Sequence, residues 1–223
     1  MHGYYEKSFL FILSVFLLVG WVSCETRIPA RDATAERVAI SSILIAGASE
    51  QHLLMTAIVK NIGDSLRYVQ DAHVEVNGFP FTPISLDRIN PQNPHNWVTT
   101  DLKIECGQIC SLRVLYKERI IRGQTIVPSS LEPVTIKNDT IRWHHDPSHF
   151  GYSVSLNEAH VSHIGEAYFG IRYFPPGRYR LQIRAYDQNY ERALTTASGS
   201  IGLEGAYGLF ASACVWQDSV DLR

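Results

Sequence analysis

From position 177 the chain reads Gly177-Arg178-Tyr179-Arg180-Leu181-Gln182-Ile183-Arg184-Ala185-Tyr186. Tyr179, Leu181, Ile183 and Ala185 alternate with Arg180, Gln182 and Arg184, so apolar side chains recur at every second residue. Successive side chains of a β-strand point to opposite faces. The alternation therefore sets one apolar face against a core and one charged face in water, as in a sheet with a wet side. Pro175-Pro176-Gly177 supplies the turn that leads in.

The same period of two runs through the rest of the chain. Val38-Ala39-Ile40 and Ile43-Leu44-Ile45 begin it, and Leu53 to Val59 follows. Ala72 to Val76 alternates and ends at Asn77-Gly78, a hairpin turn signal. Pro91 and Pro94 mark a loop before Val98 to Ile104, which reads as another strand. Leu112, Val114 and Tyr116 share a face, and Ile121 to Val127 returns and stops at Pro128. Pro128-Ser129-Ser130-Leu131-Glu132-Pro133 has the character of a stiff linker and is the best candidate boundary. Beyond it Val134-Thr135-Ile136 resumes the pattern, Asn138-Asp139 makes a turn, and Tyr152, Val154 and Leu156 alternate with serines. Helical signals are scarce, and residues 157–168 hold one short helical turn at most. The expected fold is all-β, with one small β-sandwich module over residues 38–128 and a second over 129–223.

Composition agrees with a folded body. The 223 residues are 45% hydrophobic, 19% charged and 11% aromatic, which excludes collagen, a coiled coil and a wholly disordered chain. The formal net charge of −2, from 20 basic and 22 acidic residues, argues against a dedicated nucleic-acid binder.

The first 24 residues stand apart. After Lys7 comes an apolar run, Phe9 to Leu18, interrupted only by Ser14, then Val19-Gly20-Trp21-Val22-Ser23-Cys24. A bilayer span takes about 20 apolar residues, so this run has the length of a signal-peptide core instead. Residues 1–23 are read as a cleaved signal peptide. Cys24 has two readings, an ordinary cysteine beside a general cleavage site or the lipid-bearing cysteine of a bacterial lipoprotein. Val22-Ser23-Cys24 resembles the end of a lipobox, although Trp21 stands where Leu is usual, and the lipidated reading is favoured. More than one acyl chain at Cys24 would make a stable membrane anchor. Residues 24–37, polar and without periodicity, then form a lipidated N-terminus and flexible tether.

Three cysteines remain. Export brings a chain to an oxidising compartment. Cys106 and Cys110 are spaced to close a small bridge across a turn, which leaves Cys214 buried and reduced. A lone CxxxC pair is a weak zinc signal, because no second pair completes a tetrahedral site.

A family resemblance rests on several segments. Gly107-Gln108-Ile109-Cys110-Ser111-Leu112-Arg113-Val114-Leu115-Tyr116, followed by Gly123-Gln124-Thr125-Ile126-Val127-Pro128, resembles a strand pair of the DUF4249 proteins, uncharacterised lipoproteins of Bacteroidetes. Ile141-Arg142-Trp143 with Tyr152 to Leu156 resembles the opening of a fibronectin-III-like second module, and Gly177 to Ala185 its penultimate core strand. Ile201 to Phe210 resembles the family's Gly-Gly-x-Gly-x-Phe segment, with Ala206 in place of the second Gly. The resemblance implies immunoglobulin-like or fibronectin-III-like modules and an envelope lipoprotein that works beside a TonB-dependent outer-membrane receptor. It carries over no catalytic residue.

Candidate sites are few. His144, His145 and His149, with His160 and His163 downstream, form the one histidine cluster in the sequence and are the candidate metal ligands. Against this, adjacent histidines on a strand face opposite ways, and a solvated loop is the better account of them. No carboxylate pair, Gly-x-Ser-x-Gly elbow or phosphate-binding glycine loop stands out. The glycines at 202–208 suit tight turns and close sheet packing. Trp97, Tyr173, Phe174 and Tyr207, with Tyr168 and Phe169, form a candidate sugar-stacking or protein-binding surface unless they fill the cores. Phe174, next to two prolines, is the residue expected to stay exposed. Asn138-Asp139-Thr140 fits an N-glycosylation pattern, which matters in a eukaryotic secretory route alone.

The resulting expectation is non-enzymatic and needs no cofactor. It is a lipid-anchored protein of the bacterial cell envelope, at the outer membrane, acting as a binding or accessory module of an envelope assembly or in adhesion. Its partners would be the membrane through the anchor, an outer-membrane receptor or envelope protein, and a glycan, and not nucleic acid. The alternatives are a carbohydrate-binding accessory in polysaccharide uptake and a metal protein using the histidine loop.

Overall fold

The computed structural model describes residues 36–58, 67–157, 159–197 and 199–222, with backbone alone at 58 and over 159–164. The signal peptide, Cys24 and the tether as far as Ala35 lie outside the described residues. Strand β1 (Arg37–Ile45) pairs antiparallel with β2 (Gln51–Ile58), to which β3 (Arg67–Tyr68) adds. β4 (His73–Val76) turns through Asn77 and Gly78, both at positive φ, into β5 (Phe79–Pro80). β6 (Thr82–Pro83) and β7 (Trp97–Thr99) enclose the proline-containing loop. β8 (Ile109–Tyr116) and β9 (Arg119–Ile126) form a hairpin of eight residues a side. β10 (Thr135–Lys137) and β11 (Thr140–Arg142) pair across Asn138-Asp139, again at positive φ. β12 (Gly151–Leu156), β13 (Ala159–Ile164), β14 (Tyr168–Gly170) and β15 (Gly177–Tyr186) follow. Helix α1 (Gln188–Thr195), the short β16 (Ser200–Ile201) and β17 (Leu203–Glu204), and the long β18 (Tyr207–Leu222) complete the chain.

These strands make one large sheet and two small ones. The large sheet runs β13-β12-β15-β18-β1-β2-β7-β6, with β3 and β16 pairing off that path. The small sheets are β17-β9-β8-β4-β5 and β10-β11-β14. Both pack on the large sheet, so the fold is an all-β sandwich arrangement. In β8 the alternation sends Cys110, Leu112, Val114 and Tyr116 inward, where they meet Ile40, Leu53, Met55 and Phe210 of the large sheet. Ile141 of the three-stranded sheet shares a second core with Tyr152, Val154, Leu181 and Ile183. The 16-residue β18 serves both cores, through Phe210 and Cys214 in one and Val220 and Leu222 in the other. These are all even positions, hence one face of one strand.

The strand 177–186 has the expected form, with Leu181, Ile183 and Ala185 buried, and it pairs with β18 over its whole length. Several expectations are corrected. The cores divide near Pro128, but residues 129–223 are not a self-contained module. Ala206, Phe210 and Cys214 belong to the first core, and β1 pairs parallel with β18, so Glu36 to Arg223 form one compact unit. Arg37, read as tether, already begins β1. Glu36 before it accepts hydrogen bonds from Arg67 at 2.8 Å and Tyr116 at 3.1 Å and pairs with Lys117. The hydrogen bond from Lys117 is the main cause that holds the Glu36 carboxyl below its usual range. The helical turn expected within 157–168 gives way to β13 and the start of β14, and the helix lies instead at 188–195. The extended run expected to Ile104 is a strand as far as Thr99 alone.

The cysteine pairing also differs. Cys106 is bonded to Cys214, with Cα atoms 5.3 Å apart and a sequence separation of 108. Cys110 is the free cysteine among the described residues and is buried. The strand period explains this, because it points Cys110 into the core, while Cys106 lies in the turn before β8. Burial pushes the Cys110 thiol up to about 11.

Candidate binding site

A cavity of about 360 Å³ opens where β9, the 144–150 loop and the start of α1 meet. Its floor is Thr125 and Asp187, its apolar sides are Ile126 and Phe150, and Gln124, Ser148, Gln188 and Asn189 complete the lining. Asp187 is 2% exposed. It is the N-cap of α1, where it accepts from the backbone N–H of Tyr190 at 3.0 Å. Asp, Asn, Ser and Thr are favoured at this position because a side-chain oxygen satisfies an orphan N–H of the first turn. The Thr125 hydroxyl donates to the other carboxylate oxygen, and Ser212 Oγ lies 2.8 Å from Thr125 Oγ1. Burial raises the Asp187 pKa, opposed by hydrogen bonds from Thr125, Tyr190 and Ser212.

These contacts join three elements. Thr125 comes from the five-stranded sheet, Ser212 from β18, and Asp187 from the end of β15. Asn189 adds two more links, donating from Nδ2 to the carbonyls of Gln124 and Phe210 at 2.9 Å each. The floor of the cavity is thereby held from both layers of the first sandwich. None of the lining residues carries a positive charge.

The histidine loop borders this region but does not form a metal centre. His149 is buried, and Nδ1 accepts from the backbone N–H of Asp146 at 3.3 Å. Nδ1 is therefore an acceptor and Nε2 carries the proton, which points to the Ser129 carbonyl at 2.9 Å. The Tyr152 hydroxyl lies 3.1 Å from His149 Nδ1 and 2.6 Å from His145 Nδ1. Burial, the main cause, lowers the His149 pKa and favours the neutral ring. Among the described residues no group of three His, Cys, Asp or Glu side chains is placed to hold a metal ion, so the reading of His144, His145 and His149 as ligands is corrected. His160 and His163 lie on β13, where side chains are outside the described set. Ser129 Oγ lies 3.1 Å from His149 Nε2, a spacing that suggests a nucleophile and its base. With Nε2 protonated, no lone pair faces the hydroxyl, and this pair is not wired to activate it.

The aromatic residues separate. Trp97 is 1% exposed and donates from Nε1 to the Val69 carbonyl at 2.9 Å, so it belongs to the core and not to a surface. Phe174 is half-buried against Phe169 and Tyr179 in the second core, which corrects its expected exposure. Its neighbour Tyr173 is the exposed one, at 79%, with the Arg172 guanidinium over its ring. Tyr207 is exposed under Arg37 at the start of β18, in a different element from Tyr173. The structure thus does not gather the four into one patch. The outer face of the β8–β9 hairpin was not anticipated as a surface. There Ile109 faces Ile126 and Leu115 faces Ile120, all exposed, on either side of Arg113 and Arg122.

Comparison of the chain with protein-family models, with curated proteins and with solved structures found no match. Among the described residues, no helix is long and apolar enough to cross a membrane.

Proposed function

We propose that this chain is an exported, lipid-anchored binding protein of the bacterial cell envelope, without enzymatic activity, with sandwiches of immunoglobulin-like or fibronectin-III-like kind. In this reading it is tethered at Cys24 to the outer membrane and serves an envelope assembly there, beside a TonB-dependent receptor. The observation that carries the reading is the Cys106–Cys214 bond, which ties a half-buried turn cysteine to one buried in the first core and joins distant parts of the chain. Such a bond is characteristic of an oxidising compartment, to which the apolar run ending at Cys24 is suited. The wiring of Ser129 and His149 supports a binding role over catalysis. The exposed Ile109, Leu115 and Ile120 beside Arg113 and Arg122 support contact with a protein partner.

Labelling with a fatty-acid probe, followed by membrane fractionation, tests the anchor. Wild type should carry the label and sediment with membranes, and Cys24→Ser should lose the label and become soluble. A wild-type protein that is unlabelled and soluble would remove the anchor from this reading.

A further inference from the structure

We propose that the cavity between β9, the 144–150 loop and α1 binds a single ring of a neutral sugar. This deepens the reading of the chain as a binding protein and rests on that part of it, not on the lipid anchor. Size is the first argument. At about 360 Å³ the cavity lies near the lower end of the roughly 300–1,000 Å³ typical of small-molecule sites, enough for one ring and not for a chain of them.

The lining chemistry is the second. Phe150 is 40% exposed and Ile126 is 56% exposed. They offer an aromatic and an aliphatic surface for the C–H face of a pyranose. Gln124 and Gln188 also line the cavity, and their side-chain amides make no hydrogen bond to other described residues. Each amide presents two donors and an acceptor, and adjacent sugar hydroxyls present the complementary pair.

Charge is the third. With no cation in the lining, a phosphate or carboxylate ligand would find no counter-charge. The one acid, Asp187, is occupied by Thr125 and the Tyr190 N–H, so a cationic ligand would compete with bonds already made. A neutral, hydroxyl-rich ligand is what remains. The floor is also fixed before binding, which lowers the cost of ordering the site.

The test is a titration of the purified full-length protein, followed by NMR or calorimetry. The probes are glucose, galactose, mannose and N-acetylglucosamine, each also as a short oligosaccharide. Wild type is compared with Phe150→Ala, Gln188→Ala and the distant control Tyr173→Ala, with thermal melts to establish that each variant is folded. At least one sugar should bind saturably. Affinity should fall about tenfold or more in Phe150→Ala and in Gln188→Ala and stay unchanged in Tyr173→Ala. Equal affinity for the free sugar and the oligosaccharide would identify a free monosaccharide as ligand. Binding of oligosaccharides alone, with the same losses in the variants, would identify the end of a glycan. Absence of saturation with every probe, or binding that survives both cavity substitutions, would overturn the proposal. Because Gln188 is exposed, that variant keeps the test decisive if Phe150→Ala fails to fold. A protein that lacks the lipid yet binds sugar would leave the site standing, and a labelled protein that binds none would sink the site alone.

Discussion

Asp187 is a buried carboxylate that serves as a helix cap, and both facts set how the protein responds to substitution and pH. Its folded pKa is raised, so its ionised form is disfavoured by folding. Such a group contributes stability below its unfolded value and loses it as pH rises through the folded value. Asp187→Asn keeps the cap and removes the buried charge. The variant should match or exceed wild-type stability near about pH 7, with the difference shrinking towards about pH 3, as read from urea midpoints. Asp187→Ala should instead cost about 2 kcal/mol, because both the α1 cap and the partner of Thr125 are lost. His149 behaves in the opposite sense. Its lowered pKa means the unfolded chain takes the proton first, so stability is full above the ordinary histidine value and falls as pH drops below it. His149→Gln should flatten that slope. None of this was legible from local sequence. Asp187 carries no motif, and Thr125, Ser148 and Gln188 come from three separate stretches that only the folded sheets bring together.

At the level of elements, strand period was the readable signal. The alternation in 177–186 and in 109–116 gave both strands and their buried faces, and Asn77-Gly78 and Asn138-Asp139 gave the β4–β5 and β10–β11 turns. Helix α1 was missed for a physical reason. It has eight residues and none is buried, and its apolar stripe is one short set, Tyr190, Ala193 and Leu194, too brief to stand out from the strand pattern around it. The pairing of β1 with β18 was equally hidden, since parallel partners at the two ends of a chain share no local signature. That pairing rests on Gly208, at φ 105° and opposite Ile40. A methyl group there would overlap the Ile40 carbonyl oxygen. Gly208→Ala should therefore destabilise by about 3 kcal/mol or more, through strain and overpacking, and thermal melting would show it.

For the molecule as a whole, the disulfide binds the turn before β8 to the middle of β18. A cross-link closing a loop of about 100 residues is worth about 4.7 kcal/mol in the chain-entropy account. Cys106→Ser or reduction should lower the melting temperature by about 10 °C or more in a protein of this size. Cys110 should resist alkylation in the native state and react on unfolding, given its burial and raised pKa. Mass spectrometry of alkylated protein without reductant would test both the pairing and the protected thiol. Proximity along the chain favours a bond between Cys106 and Cys110, because local spacing is the one signal that cysteines carry in sequence. The layered sheets decide the matter by setting Cys214 against Cys106. The shared strand β18 has a further consequence for biosynthesis. It supplies inward residues to both cores and pairs with β1, so neither half can close before β18 has left the ribosome. A nascent chain of this design stays unfinished until β18 has emerged, which is the state that passage through a translocation pore would require.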